Sequence, residues 1–353
     1  MQNVIKFNFW KNKKVFVTGH TGFKGSWLCL FLNHLGAEVT GYSLKPNTKP
    51  NLFDLAGVKK IIKKSIIADV RNYQKINNEI KKSKATILFH LAAQPLVRYS
   101  YLKPKDTFDT NFTGSLNILE SIKNNKIIKT GIIITTDKVY DNTNNKIFKE
   151  TDRLGGLDPY SSSKVCVEFL FNSYLKSFFK KGNQMIATVR AGNVIGGGDY
   201  SLDRLVPDIY KSIKSKKKIF LRNPQSVRPW QHVLEPLSGY ILLSAKLRDD
   251  PKKFSGSWNF GPSSSEVRTV EEVASKIIHH LGKGKIKITG SSDQHHEAML
   301  LQLNCDKSHQ ILNWEPRWHV EETLKYTAEW YKKVLDGESA EDITKLQVHK
   351  YFN

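Results

Sequence analysis

The chain has 353 residues and carries 55 Lys plus Arg against 33 Asp plus Glu, a formal charge of +22. With 39% hydrophobic and 25% charged residues it is not a mostly disordered chain, and its length suits one large domain or two packed ones. Three widely spaced cysteines, Cys29, Cys166 and Cys305, exclude a disulfide framework and fit a reducing compartment.

In chain order, residues 14–18 (KVFVT) form a short apolar run that ends in a glycine-rich turn. Residues 23–35 follow with helical spacing of Trp27, Leu28, Leu30, Phe31 and Leu35. Strand-like runs recur at 37–42, 66–68, 86–91, 130–135 and 184–189, and helical patterns cover 71–82, 106–124 and 159–180. Short apolar strands alternating with helices predict an α/β fold, a Rossmann-type doubly wound parallel sheet covered on both faces. Beyond residue 191, helices expected at 205–214, 236–247 and 270–281 lie among Pro/Gly-rich loops. They suggest a smaller, interleaved C-terminal substrate domain. Residues 258–260 read as a late strand able to rejoin the main sheet. The expected division is 1–190 for dinucleotide binding, with a returning segment near 232–260, and 191–353 mainly for substrate.

The positive charge raises the question of nucleic acid. The cations, however, are lysines spread thinly along the chain, and Asn and Ile are also plentiful, a pattern that A/T-rich codons produce. No nucleic-acid motif and no basic-aromatic interleaving accompanies them, so no nucleic-acid partner is expected. The first ten residues, MQNVIKFNFW, lack a continuous apolar stretch, and no run approaches the roughly 18 apolar residues of a membrane span. The expectation is a soluble, cytoplasmic protein without membrane contact.

Between the first strand and helix lies Thr18-Gly19-His20-Thr21-Gly22-Phe23-Lys24-Gly25, with glycines spaced G-x-x-G-x-x-G. Gly19 permits a sharp turn, Gly22 lets backbone approach a pyrophosphate, and Gly25 lets the helix pack closely. The helix N-terminus then faces the anion. Thr21, Phe23 and Lys24 belong to the same cradle. Asp69 and Val70 follow the third strand, where a carboxylate could hold an adenine amino group and Val70 could cover the ring. Leu91, Ala92, Ala93 and Gln94 end the fourth strand, with small residues that admit a dinucleotide. The second strand ends in Tyr42-Ser43-Leu44-Lys45, without the usual carboxylate for a ribose hydroxyl. These residues therefore leave NAD and NADP both open.

Tyr160 and Lys164, four apart at a helix start, share one face. A neighbouring ammonium favours the tyrosinate, making Tyr160 a base near neutral pH, and Lys164 can also hold a nicotinamide ribose. Thr136, Asp137 and Lys138 follow the fifth strand. Thr136 can bond a substrate hydroxyl beside Tyr160. Asp137 and Lys138 add a second acid/base set, more than an alcohol dehydrogenase needs. His295 and His296 have no partner at ligand spacing, so no metal is expected.

With these motifs in place, the chain resembles the extended short-chain dehydrogenase/reductase family nearly end to end. More narrowly, it is similar to the nucleotide-sugar 4,6-dehydratases that act on CDP-glucose. The segments that carry the resemblance include VFVTGHTGFKGSWL (15–28), HLAAQPLVRYSY (90–101), TTDKVYDN (135–142), DPYSSSK (158–164), RAGNVIGGGD (190–199) and RPWQHVLEPLSGY (228–240), together with the stretch 296–316. The Thr-Asp-Lys triplet separates it from the dTDP-glucose enzymes, which have Thr-Asp-Glu there. Asn304 and Asp306 depart from the pattern, away from the chemistry. The resemblance implies NAD as cofactor and a reaction in three stages. Tyr160 takes the C4 hydroxyl proton as hydride leaves C4, water is eliminated across C5 and C6, and the hydride returns to C6. It implies Asp137 as the acid at the C6 hydroxyl. Lys138 stands at the position of the C5 base, and the residues leave open whether it takes that proton or stabilises the enolate. For the nucleotide sugar it implies Asn193, Arg204, Arg228 and His232, and it implies a homodimer formed through the helices at 106–124 and 159–180. Trp230 reads as core.

Overall fold

The computed structural model describes residues 7–142, 146–179, 183–221, 223–263, 266–288 and 301–352. His295 and His296 lie outside the described residues, as does the start of the 296–316 stretch. The seven strands of the central sheet are β1 (Lys14–Thr18), β2 (Glu38–Ser43), β3 (Lys64–Ile67), β4 (Ile87–His90), β5 (Thr130–Ile134), β6 (Met185–Ala191) and β7 (Gly256–Phe260). Their spatial order is β3-β2-β1-β4-β5-β6-β7, and every neighbouring pair is parallel. The α/β doubly wound expectation therefore holds, and residues 256–260 do add to the main sheet beside β6. The chain winds outward from β1 to β3, then crosses back to β4. Such a reversal leaves a crevice at the carboxyl ends of the strands, between β1 and β4.

The central strands read as apolar runs because both faces are covered, whereas the edge strand β3 keeps Lys64 and Ile67 exposed. All five residues of β5 are buried. One face packs against α1 (Phe23–His34), whose eight residues from Gly25 to Leu32 are all buried. The other face takes α2 (Tyr73–Ser83), α3 (Gly114–Asn124) and α4 (Pro159–Tyr174), through Ile76, Ile80, Ile118, Ile122 and Phe171. Gly131 lets α3 approach: a Cβ there would lie 2.8 Å from Ile122 Cδ1. The helix expected over 106–124 is interrupted by a wider π-type turn at Asp109–Thr113, and the one expected to reach 180 ends in a second such turn at Leu175–Phe179.

Past β6 come α5 (Leu205–Lys214), α6 (Leu234–Asp249), α7 (Val270–Leu281), α8 (Val320–Leu335) and α9 (Ala340–Phe352). Helix α6 is buried along most of its length and joins the same core as α1. Helix α9 closes over α1, with the Phe31 ring edge-on to Tyr351 and Phe352.

Candidate active site

A cleft of about 530 Å³ opens at the carboxyl ends of the strands. Its floor begins at the turn after β1. Gly19 has φ +75°, and a Cβ on it would sit 2.7 Å from the backbone N of Ala92. A Cβ on Gly25 would lie 2.0 Å from the Gly19 carbonyl oxygen, so the third glycine lets the helix close on its own loop. At Gly22 the nearest atom would be 3.4 Å away, an ordinary contact, so the protein itself does not crowd this position. Helix α1 is preceded by Gly22, which offers no side-chain cap. Its first N–H groups are therefore free of competition from a side chain, which suits an anion such as a pyrophosphate. A dinucleotide fits this turn. Thr21 works sideways, its hydroxyl donating to the Leu44 carbonyl (2.8 Å) and pairing with the Ser43 hydroxyl (2.9 Å), and so tying the turn to the end of β2.

Asp69, Val70, Leu91, Ala92 and Ala93 line the cleft, as does Phe23. The Asp69 carboxylate already accepts from the Arg71 Nε, Nη2 and backbone N–H, at 2.6 to 3.1 Å, and this bonding holds it below the usual carboxylate range. Gln94 departs from expectation. It is not in the cleft wall; its side-chain amide donates to the Leu96 carbonyl and Thr107 Oγ1, and its oxygen accepts from the Leu96 N–H. A long polar side chain at a strand end shapes its own loop here. Thr18 and His90 were not singled out by pattern. Thr18 Oγ1 accepts from the Leu91 and Ala92 N–H groups and pairs with His90 Nδ1 at 2.8 Å, setting the course of the chain that flanks the cofactor turn.

Thr136, Asp137, Lys138, Tyr160 and Lys164 meet in the same cleft. Asp158 caps α4, accepting from the Ser161 N–H, and so starts the helix where Tyr160 and Lys164 point inward. Asp137 is 4% exposed. Burial raises its pKa above the usual value, against Lys138, a 2.9 Å bond from Thr136, and Arg228. Tyr160 is pushed up to about 12, first by burial, with a Thr136 hydrogen bond and Arg204 pulling the other way. Burial lowers Lys164 to about 8, and its Nζ donates to the Ile134 carbonyl at 3.1 Å. Tyr160 and Lys164 thus line the same cleft, and Arg204 is a cation that acts on the phenol. Lys24 is drawn into this centre as well: burial, then Arg204, lowers it to about 8, while Asp137 opposes.

Among the residues expected to hold the nucleotide sugar, Asn193 and Arg204 line the cleft. Arg204 is braced by Asp199, whose carboxylate accepts from Nη1 at 2.9 Å. Arg228 is 5% exposed on the strand Val227–Pro229, behind the cleft wall, and its charge acts on Asp137. His232 also lies behind the wall. It is 0% exposed, packs edge-on between Trp27 and Trp318, and is held neutral by burial, down to about 3. It presents no cation to a diphosphate. Trp230 is buried as expected, yet also forms part of the wall.

Residues 16–327 match the family model described as GDP-mannose 4,6 dehydratase. The chain belongs to that family. It is an enzyme, a lyase of the nucleotide-sugar 4,6-dehydratase kind. It is similar to CDP-glucose 4,6-dehydratase of Salmonella typhimurium, 44% identical with 99% of each chain covered. In fold it is similar to a dTDP-glucose 4,6-dehydratase from Bacillus anthracis solved with NAD, with TM-score 0.76 and 24% identity over 91% of this chain and 97% of that one. A UDP-glucose 4-epimerase from Thermotoga maritima gives TM-score 0.78 at 22% identity, over 91% and 99%. Among the described residues, no helix of this dehydratase-family member is long and apolar enough to cross a membrane, and no group of His, Cys, Asp or Glu is arranged for a metal.

Proposed function

We propose that this protein converts CDP-glucose to CDP-4-keto-6-deoxyglucose with NAD as cofactor. The observation that carries the reading is the meeting, in one cleft, of the glycine turn, the Tyr160–Lys164 pair and the Thr136-Asp137-Lys138 turn. The 44% identity to a CDP-glucose 4,6-dehydratase supports the choice of sugar nucleotide. Residues 1–190 with the returning strand would bind NAD, and 191–353 mainly the nucleotide sugar.

NAD, when bound, would supply a hydride acceptor for C4 and the hydride for C6. Gly19, Gly22 and Gly25 would shape the turn for its pyrophosphate, and Lys164 would hold the nicotinamide ribose. Tyr160 removes the C4 hydroxyl proton, with Thr136 bonding that oxygen. The resulting 4-keto group acidifies the C5 proton. Asp137, favoured in its acid form by burial, protonates the C6 hydroxyl as it leaves as water. The C5 proton goes to Lys138; otherwise Lys138 stabilises the enolate, and water, or Tyr160 once it has released the C4 proton to solvent, takes it. The same group gives a proton back to C5 when C6 is reduced, and C5 solvent exchange in Lys138→Met separates the two. Arg204 offers a planar fork to the diphosphate. Cys29, Cys166 and Cys305 are unpaired, in keeping with the cytoplasm. The exposed Tyr99, Leu102, Phe169 and Phe178 support a homodimer, which sedimentation would test.

Incubation with a panel of NDP-glucoses and NMR of the products tests the proposal. A 4-keto-6-deoxy product from CDP-glucose is expected. Epimerised sugar without loss of water would assign a 4-epimerase instead.

A further inference from the structure

Behind the cleft lies an ion pair that takes no part in the steps above. Glu168, 0% exposed, stands one helical turn beyond Lys164 on α4. Arg190, on β6, meets it as a fork, with Nε–Oε1 at 2.9 Å and Nη2–Oε2 at 2.8 Å. Thr188 and Ser257 donate to the same carboxylate, so strands β6 and β7 are tied to α4. Two further bonds run to the catalytic turn. Thr135, immediately before Thr136, donates to Glu168 Oε1 at 2.5 Å. Tyr140, just beyond Val139, accepts from Arg190 Nη1 at 2.7 Å and lies 4.9 Å beneath its guanidinium. The three-residue turn Asp137–Val139 is thus gripped at both ends by one buried pair.

We propose that the Glu168–Arg190 pair is a positioning device. It holds Thr136, Asp137 and Lys138 in register with Tyr160 and Lys164, and governs the rate of elimination without contributing to sugar affinity. The inference rests on the dehydratase reading above. Its physical basis is that a displacement of about 1 Å in an acid/base group costs up to ~100-fold in rate, while a bidentate buried pair fixes both partners in angle as well as distance. Glu168 also acts on Lys164, opposing the loss of its proton to burial.

Removing either charge would strand the other in the core and endanger folding. The test therefore removes the two struts, in Thr135→Val, Tyr140→Phe and the double variant, each nearly isosteric. With CDP-glucose, each single variant is expected to lose about 3- to 10-fold in kcat and the double about 30- to 100-fold, with KM within about twofold. Absorbance of reduced cofactor at 340 nm should build up during turnover of the double variant, because oxidation at C4 then outruns elimination. Unchanged kcat, or losses confined to KM, would overturn the proposal. Wild-type protein that dehydrates no NDP-glucose would refute the functional reading instead. In that case amide hydrogen exchange still decides. Faster exchange at 137–140 with α4 unaffected supports the device, and unchanged exchange there rejects it.

Discussion

Replacing Lys164 by Met offers a quantitative test of how Tyr160 becomes a base. Burial pushes the phenol up to about 12. Only about one phenol in 10⁵ is then ionised at pH 7, and bringing it near neutrality requires about 7 kcal/mol. A unit charge roughly 5 Å away at an effective dielectric of about 20 supplies about 3 kcal/mol, or roughly 2 pH units. One cation is not enough; Lys164 must act together with charge brought in with the cofactor. Loss of the ammonium raises the phenol pKa, and a base works above its pKa. The acid limb of kcat in Lys164→Met should therefore move up by about 2 pH units, with a loss of about 100-fold at pH 7. Each unit of added pH should recover about tenfold. Lys164 is itself held at about 8. The wild-type profile should bend above that pH while the variant continues to rise. The assay is product formation from saturating CDP-glucose and NAD between pH 6 and 10. An equal loss at every pH would refute the electrostatic argument and leave Lys164 with ribose binding alone.

Asp137→Asn should stop the reaction after C4 oxidation, with kcat down by about 10² to 10⁴ and reduced cofactor visible at 340 nm in a single turnover. Gly25→Ala should abolish NAD binding in equilibrium dialysis, because the added methyl would lie 2.0 Å from the Gly19 carbonyl oxygen. Glu235, fully buried under Tyr351 and the Arg317 and Trp318 N–H groups, is raised by burial to about 7 from 4.5. A carboxyl raised in the fold contributes stability below its unfolded pKa and loses it as pH rises through the folded one. Stability should thus fall by about 3 kcal/mol between pH 4.5 and 7, and the slope should flatten in Glu235→Gln when followed by urea unfolding.

The order of elements was legible because each strand of a parallel sheet is apolar on both sides and stops at a polar or glycine turn. Ile132, Ile133 and Ile134 could face a core on either side of β5, and they do. The cofactor turn was legible for a similar reason: its glycines answer to backbone crowding, which spacing records. What spacing does not record is whether a polar side chain at a strand end turns toward the ligand or back onto its own loop. Gln94 turned back to bond Leu96 and Thr107. His232 ends a strand of two residues, Gln231–His232, that runs parallel to Val194–Ile195, and this places the ring between two tryptophans. A histidine in such a sequence context looks the same whether it faces a phosphate or the core.

The opening charge can now be divided by position. Cations that matter to a dianionic sugar nucleotide are few and specified by neighbours: Arg204 braced by Asp199, and Lys24, Lys138 and Lys164 around Asp137 and Tyr160. At Lys24 and Lys164 burial competes with the charge and lowers the pKa to about 8. The outer lysines are in a different physical state. Lys60 reaches Glu341 with its side chain 75% exposed, and Lys63 meets Glu38 at the surface. Pairs of this kind contribute little, about 0 to 1 kcal/mol, and are screened by salt within roughly 8 Å. A net charge of +22 is therefore consistent with an enzyme whose chemistry depends on a handful of buried cations, and turnover at saturating substrate should be nearly indifferent to ionic strength.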